Sequence, residues 1–373
     1  MKSVIMTMFD RWQKELDKRS ESGTLRRLQL VSQGIDFYSN DYLGFARNSD
    51  LQNIILNKVS RHPEWLSGTT GSRLISGNTA YINETEQYIA QEHGFPAALF
   101  FSSGYQANLA LFSALPGRQD TIITDEHIHR SVYDGCRLSF AKKLKFRHND
   151  MDHLEHLLKK ESGNCLIAVE SLYSMEGDLA PLAKIAGLAA CYGAGLIVDE
   201  AHAFGVFGHG LVDRCGLHDK VTAAVITYGK ALGMHGAAVL SSHLVKNYLI
   251  NFAAPLIYTT SSPDVQWLSI RSGYEFLSKH QPAQKALQNN IRIFRQQGIV
   301  TPSAINSPIQ AVIIPDKNRL KSLQNQLADL GFQTYAVYSP SVKEGTERLR
   351  ICLHSFNTDE EIIRLCQIIH ESS

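Results

Sequence analysis

Between residues 97 and 240 the chain repeats one pattern, a short apolar, β-prone run followed by a stretch with helical periodicity. The runs fall at 97–101, 121–124, 144–147, 165–170, 196–199, 223–227 and 237–240. Strands apolar at successive positions are buried on both faces, as happens when helices cover a mostly parallel sheet on either side. The pattern predicts an α/β fold, and in such a sheet ligands sit beyond the carboxyl ends of the strands. After Pro263 the pattern changes to longer helical segments, through 267–276 and 286–297. Shorter strands follow around 311–314, 334–337 and 349–353, with a closing helix from Asp359. Ahead of the repeat, residues 8–27 read as a mixed-charge amphipathic helix with Phe9, Trp12, Leu16 and Leu25 as its apolar contacts. A chain of 373 residues exceeds what one compact core usually holds. The predicted organisation is an N-terminal arm (1–40), a large α/β domain (41–268) and a smaller C-terminal α+β domain (269–373), with no internal repeat or low-complexity segment.

Charge narrows the function classes. Lys plus Arg (37) against Asp plus Glu (36) leaves a net charge of +1, with no excess to attract nucleic acid or an anionic membrane surface. Six scattered cysteines contain no C-x-x-C pair, which gives neither a disulfide framework nor a zinc ribbon and points to reduced thiols in a cytoplasm. The apolar run at 1–9 is too short for a signal peptide, and no charge-free apolar stretch reaches the length of a membrane helix. A soluble cytoplasmic enzyme acting on small molecules is expected. Histidine, at 15, is the unusual count.

Two strand ends carry reactive groups. The run 196–198 ends in Asp199-Glu200-Ala201-His202, and the run 223–226 ends in Thr227-Tyr228-Gly229-Lys230. Asp-Glu-Ala-His resembles the acidic box of a DEAH-type ATPase, which also needs a G-x-x-x-x-G-K-[ST] phosphate loop. At the Gly229-Lys230 pair the upstream glycine is replaced by Ala224 and the following Ser/Thr by Ala231. A serine hydrolase would need Gly-x-Ser-x-Gly, and no serine is so flanked. A lysine that holds a carbonyl cofactor as a Schiff base, with an acid for a pyridine nitrogen, is the third reading. A surface lysine and a helix-capping aspartate are the plain alternatives; an acid directly after an apolar strand favours a buried, paired one. His127-x-His129 has no accompanying ligand set, so no metal is expected.

Six segments read together resemble the α-oxoamine synthases. They are Ser39-Asn40-Asp41-Tyr42-Leu43-Gly44, the stretch from Gly68 to Gly77, Phe101-Ser102-Ser103-Gly104-Tyr105-Gln106-Ala107-Asn108, Ser174-Met175-Glu176-Gly177-Asp178, Asp199-Glu200-Ala201-His202 and Thr227-Tyr228-Gly229-Lys230. Members are fold-type I pyridoxal 5'-phosphate (PLP) enzymes that condense an amino acid with an acyl thioester, and the resemblance covers nearly the whole chain. It implies that Lys230 is the Schiff-base lysine and Asp199 the partner of the pyridine nitrogen. His202 and Ser174 fall at positions that hydrogen-bond the phenolic oxygen, and His129 at the position that stacks on the ring. The helix opening after Ser103, Gly104 and Tyr105, with Thr227, would take the phosphate, since helix N-termini favour anions. Thr260 would reach the phosphate of a neighbouring subunit, so a homodimer with shared sites is implied. Arg350 matches the arginine that grips the amino-acid carboxylate with its bidentate fork, and Arg348 is expected to face the other way. Asn40 and Ser341 are implied as further substrate contacts. Arg26 or Arg27 would take a carboxylate at the end of the acyl chain, unless they are only the basic end of a surface helix.

Within the family, the segments Gly68-Thr69-Thr70-Gly71-Ser72-Arg73, Tyr173 to Asp178 and Arg147-His148-Asn149-Asp150 are most like the biotin-pathway branch, which joins L-alanine to a pimeloyl thioester. Glycine with an acetyl or succinyl thioester, or serine with a long acyl thioester, are the other pairings the family offers. Arg130 and Phe204 depart from the family pattern, and both are expected near the site, where they would bear on the acyl chain.

Overall fold

The computed structural model describes residues 7–28, 30 and 33–372; most of the 1–9 run read for a leader lies outside them. The chain forms two compact units, Met1–Gly34 and Ile35–Ser373. In the first, helix α1 (Met8–Glu21) opens on a capping box in which the Thr7 hydroxyl accepts from the Asp10 N–H and the Asp10 carboxylate accepts from the Thr7 N–H. The helix stops at Glu21 rather than running to residue 27, and Gly23, at φ 67°, turns the chain after it. None of its residues is buried.

The second unit begins with β1 (Ile35–Asp36), α2 (Ser49–Val59) and α3 (Ala80–Glu92). It continues through β2 (Ala97–Phe101), α4 (Gly104–Ala114), β3 (Thr121–Asp125), α5 (Arg130–Leu138), β4 (Lys142–Phe146), α6 (Met151–Lys160), β5 (Cys165–Glu170) and α7 (Leu182–Cys191). Next come β6 (Gly195–Asp199), α8 (Leu211–Arg214), β7 (Ala223–Thr227) and β8 (Ala237–Ser241). The seven strands β2 to β8 form one sheet in the order β2-β8-β7-β6-β5-β3-β4. Only β8 runs antiparallel to its neighbours, β2 and β7; the remaining pairs are parallel, as the two-faced apolar runs require. Alternate residues feed two cores. Phe100, Ile123, Ile167, Val198 and Ala224 pack on one face, and Leu99, Ile122, Ala168, Ile197 and Val225 on the other.

Helices α9 (His243–Phe252), α10 (Ala254–Ile257), α11 (Asp264–Lys279) and α12 (Gln281–Gln296) lead to β9 (Ile309–Ile313), α13 (Lys317–Asp329), β10 (Phe332–Gln333), β11 (Tyr335–Val337), β12 (Arg348–Cys352) and α14 (Asp359–Glu371). Strands β11, β12 and β9 form an antiparallel sheet in that order, and β1 returns to pair with β10. Among the described residues no helix is long and apolar enough to cross a membrane, and no group of three or more His, Cys, Asp or Glu side chains is placed to hold a metal ion.

Candidate active site

The tips of β5, β6 and β7 stand side by side: Glu170 is in register with Asp199, and Asp199 with Val225. Beyond them lies a cavity of about 260 Å3. Asn40, Ser103, Gly104, Tyr105, His129, Asp199, His202, Thr227 and Lys230 all line it. Nine residues read from distant segments of the sequence thus converge on one space. Gly104 allows the convergence of α4 with β7, because a Cβ there would meet Thr227 Cγ2 at 2.4 Å. Ser103 caps the helix by accepting the Gln106 N–H, and the leading N–H groups of such a helix have no intrahelical partner.

A hydrogen-bonded chain fixes the acid. Asp199 accepts from the Asn108 amide at 2.7 Å and from the Ala201 N–H at 2.9 Å. Asn108 also donates to Ser131, whose hydroxyl lies 2.7 Å from His129 Nδ1. The Lys230 amine makes no hydrogen bond or ion pair among the described residues; burial lowers its pKa, against the opposing pull of the Asp199 and Glu170 carboxylates. Burial likewise lowers His129, with Asp199 opposing and Lys230 adding to the shift. His202 is held well below its ordinary value by burial and by the charges of Lys230 and Arg350.

Arg350 lies behind Asn40 rather than in the cavity wall. Its Nη2 donates to Asn40 Oδ1 at 3.1 Å, its Nε to the Ser174 carbonyl at 2.7 Å and its Nη1 to Cys352 Sγ at 2.9 Å. Ser174 is joined to the site through its backbone, its N–H donating to Glu170 Oε2 at 3.3 Å. Arg348 does not face away. Residues two apart on a strand share a face, and Arg348 grips the same loop, donating to Glu176 Oε1 at 2.9 Å. Thr260 lines a separate small cavity with Arg73 and Trp267. Ser341 is exposed on the loop after β11, and Arg26 and Arg27 are exposed in the N-terminal unit. Phe204 is not at the site: it is buried in an aromatic cluster, with ring centroids 5.3 Å from both His93 and Tyr274. Arg130 pairs with Asp134, which also accepts from the hydroxyl of the cavity-lining Tyr105. Glu200, the second acid of the apparent ATPase box, turns towards α8, where it accepts the Val212 N–H at 3.2 Å.

Sequence reasoning missed Asn108, Ser131 and Glu170. Glu170 had the signal that singled out Asp199, an acid closing an apolar run. It is fully buried, its Oε1 has no hydrogen-bond partner, and burial together with the Asp199 charge holds its pKa well above the usual carboxylate range.

An orphaned acid, an unpaired buried amine, a second acid and a helix N-terminus converge on one cavity, and these groups fit a cofactor with a carbonyl, a ring nitrogen and a phosphate. They define the site of a fold-type I PLP-dependent transferase. The sequence model of the aminotransferase class I and II family matches residues 32–369. An 8-amino-7-oxononanoate synthase of Emericella nidulans is 37% identical, over 96% of this chain and 94% of its own length. One from Lysinibacillus sphaericus is 35% identical over 95% and 96%. Among solved structures, a lysine-to-alanine variant of a serine palmitoyltransferase from S. paucimobilis with a bound PLP–myriocin aldimine superposes with a TM-score of 0.88 at 27% identity, covering 99% of this chain and 98% of that one. An 8-amino-7-oxononanoate synthase from Francisella tularensis superposes at 0.77 with 29% identity, covering 91% and 97%. The chain belongs to the aminotransferase class I and II family, on its α-oxoamine synthase branch, and its cofactor is PLP.

Proposed function

We propose that the protein condenses L-alanine with a pimeloyl thioester, carried by coenzyme A or a carrier protein, to give 8-amino-7-oxononanoate, carbon dioxide and the free thiol. The names of its 34–37% identical relatives support this pairing, and the convergence of Lys230 and Asp199 on one cavity carries the chemistry. Bound PLP supplies an electron sink for the carbanion formed at the amino acid's α-carbon. Lys230 Nζ would hold the cofactor and, when free, would take the proton from that carbon. A base must be neutral to do so, and burial of Lys230 works in that direction. Asp199 pairs with the ring nitrogen, held in place by Asn108. His129 lies against the ring, and His202 and Ser174 serve the phenolic oxygen. Ser103, Gly104, Tyr105 and Thr227 take the phosphate.

Arg350 and Asn40 hold the alanine carboxylate, Ser341 closes on the substrate, and Arg26 or Arg27 meets the pimeloyl carboxylate. Residues 41–268 act as the cofactor domain and 269–373 as the small domain that brings Arg350. We further propose a cytoplasmic homodimer in which Thr260 completes the phosphate site of the other subunit; its place in a cavity apart from Lys230 favours that reading. Serine with a long acyl thioester is the second reading, favoured by the serine palmitoyltransferase superposition. Thiol release from the holoprotein, measured over a matrix of alanine, glycine and serine against pimeloyl, acetyl, succinyl and palmitoyl thioesters, separates the two. Alanine with pimeloyl is expected to be fastest, and a preference for serine with palmitoyl overturns the assignment.

A further inference from the structure

Two segments that stand apart in the sequence, 147–150 and 173–178, are bonded to each other in the fold. His148 sits in the loop after the edge strand β4 and reaches across the tip of β3 to the loop after β5. Its Nδ1 lies 2.9 Å from Asp125 Oδ1 and its Nε2 2.8 Å from Asp178 Oδ2. Asn149 spans the same two acids, its N–H donating to Asp125 Oδ2 at 3.0 Å and its Nδ2 to Asp178 Oδ2 at 2.8 Å. To do so its backbone stands at φ 54°, in the left-handed region that asparagine tolerates better than most residues. A neutral imidazole has one N–H and one lone pair, and here the lone pair would face a carboxylate oxygen. Both ring nitrogens therefore donate, and His148 is an imidazolium between two carboxylates. Three further titratable groups face it. The His127 ring stacks on it with centroids 4.1 Å apart, the Tyr173 ring meets it edge-on at 4.5 Å, and Glu126 Oε1 accepts its backbone N–H at 2.8 Å. Glu176, 3.6 Å from His127, is taken up by Arg348.

Each acid belongs to a loop that ends at the site. Asp125 opens the turn that leads to His129, the N-cap of α5 in the cavity wall, and its Oδ1 also accepts the His127 N–H at 2.8 Å. Asp178 closes the loop that holds Ser174: its carbonyl accepts the Tyr173 N–H at 3.0 Å, and the next N–H, that of Ser174, reaches Glu170 Oε2. We propose that His148 is a positioning residue whose positive charge locks the loop of Ser174 to the loop of His129, so that the two keep a fixed spacing around the cofactor. The consequence for the cofactor rests on the proposed function, in which His129 lies against the ring and Ser174 serves its phenolic oxygen. Burial works against the His148 charge, but hydrogen bonds to the two carboxylates outweigh it and push the pKa up to about 10. The lock is therefore present at neutral pH and is lost as pH rises through about 10.

The test combines nitrogen NMR on the holoprotein labelled with 15N-histidine and titration of PLP by its visible absorption band. At pH 8.5, where an ordinary histidine is neutral, both His148 nitrogens are expected to carry protons, their signals identified by loss in His148→Gln and by their shift in Asp178→Asn. His148→Gln is expected to raise the PLP dissociation constant about 10-fold at pH 7.5, the size of effect that losing an outer partner of a binding residue has. The ratio to wild type should shrink by pH 10.5, where the wild type has lost most of the same charge. The titrations of Lys230 and of PLP are common to both proteins and cancel in the ratio, whereas a purely structural contact would leave the ratio independent of pH. Should His148→Gln fail to fold, Asp178→Asn supplies the second arm: His148 is expected to lose its proton at lower pH, with PLP affinity falling relative to wild type over the same interval. A singly protonated His148 at pH 8.5, a ratio near one at pH 7.5, or a PLP affinity that does not follow the His148 titration overturns the proposal. Failure of the cofactor reading is separately visible as the absence of any visible absorption band when PLP is added to the wild type, and the charge on His148 is read independently of it.

Discussion

Burial draws the Lys230 amine towards its neutral form while two carboxylates at neighbouring strand tips pull the other way. Lys230→Ala is expected to abolish the visible absorption band that PLP gives with the wild type, and an unchanged spectrum would refute the Schiff-base role. The two acids divide the electrostatic work unequally. Asp199 is fixed by two donors, whereas Glu170 is held towards its neutral form by burial and by the Asp199 charge. Asp199→Asn is expected to retain cofactor but lose about 100-fold or more of the thiol-release rate. Glu170→Gln, a neutral isostere, is expected to stay within about threefold of wild type; a loss as large as that of Asp199→Asn means Glu170 works as a carboxylate. At this scale the sequence was legible where a polar residue broke an apolar run, as at Asp199 and Lys230. The contacts of the Tyr42 hydroxyl with Asn40 and His202 were not legible, because a buried aromatic ring looks like core until its hydroxyl partners are seen. Arg348 was assigned to the wrong face of its strand.

Among the elements, the loop 174–178 is gripped from two directions. Arg350 and Arg348 hold Ser174 and Glu176 from β12, and His148, in the loop after β4, holds Asp178. His148 lies 2.9 Å from Asp125 and 2.8 Å from Asp178. Burial works against its charge, yet hydrogen bonds to the two carboxylates push its pKa up to about 10. A folded-state pKa raised above the unfolded value of about 6.5 gives stability that is fully present below that pH and is lost as pH rises through about 10. His148→Gln is expected to destabilise the protein by roughly 3 kcal/mol at pH 6. The gap from wild type in chemical denaturation should shrink by pH 10.5, and a gap independent of pH contradicts the charged pair. Element type was readable throughout the main sheet, while boundaries were not. Strand β4 starts at Lys142 rather than at 144 because edge strands carry lysines that mask their pattern. Helix α1 ends early because Gly23 turns the chain.

For the whole molecule, the near-zero net charge helped set aside the ATPase reading, and the fold shows the physical reason for its false signal. Glu200 is occupied with the α8 backbone, and Gly210, at φ 122°, gives it room, since a Cβ there would lie 1.7 Å from Glu200 Oε2. The proposed association of subunits rests on family resemblance, because shared sites leave no periodicity in a single chain. Sedimentation of the holoprotein is expected to give one species near twice 41.6 kDa, and a fully active monomer contradicts a site completed by Thr260 in trans. The central claim, decarboxylative condensation in the cavity between Lys230 and Asp199, is tested most directly with alanine labelled with 13C at the carboxyl carbon and a pimeloyl thioester. The holoprotein is predicted to release the label as carbon dioxide in step with free thiol and to form an unlabelled nine-carbon aminoketone. Thiol release with the label retained in the product would contradict it.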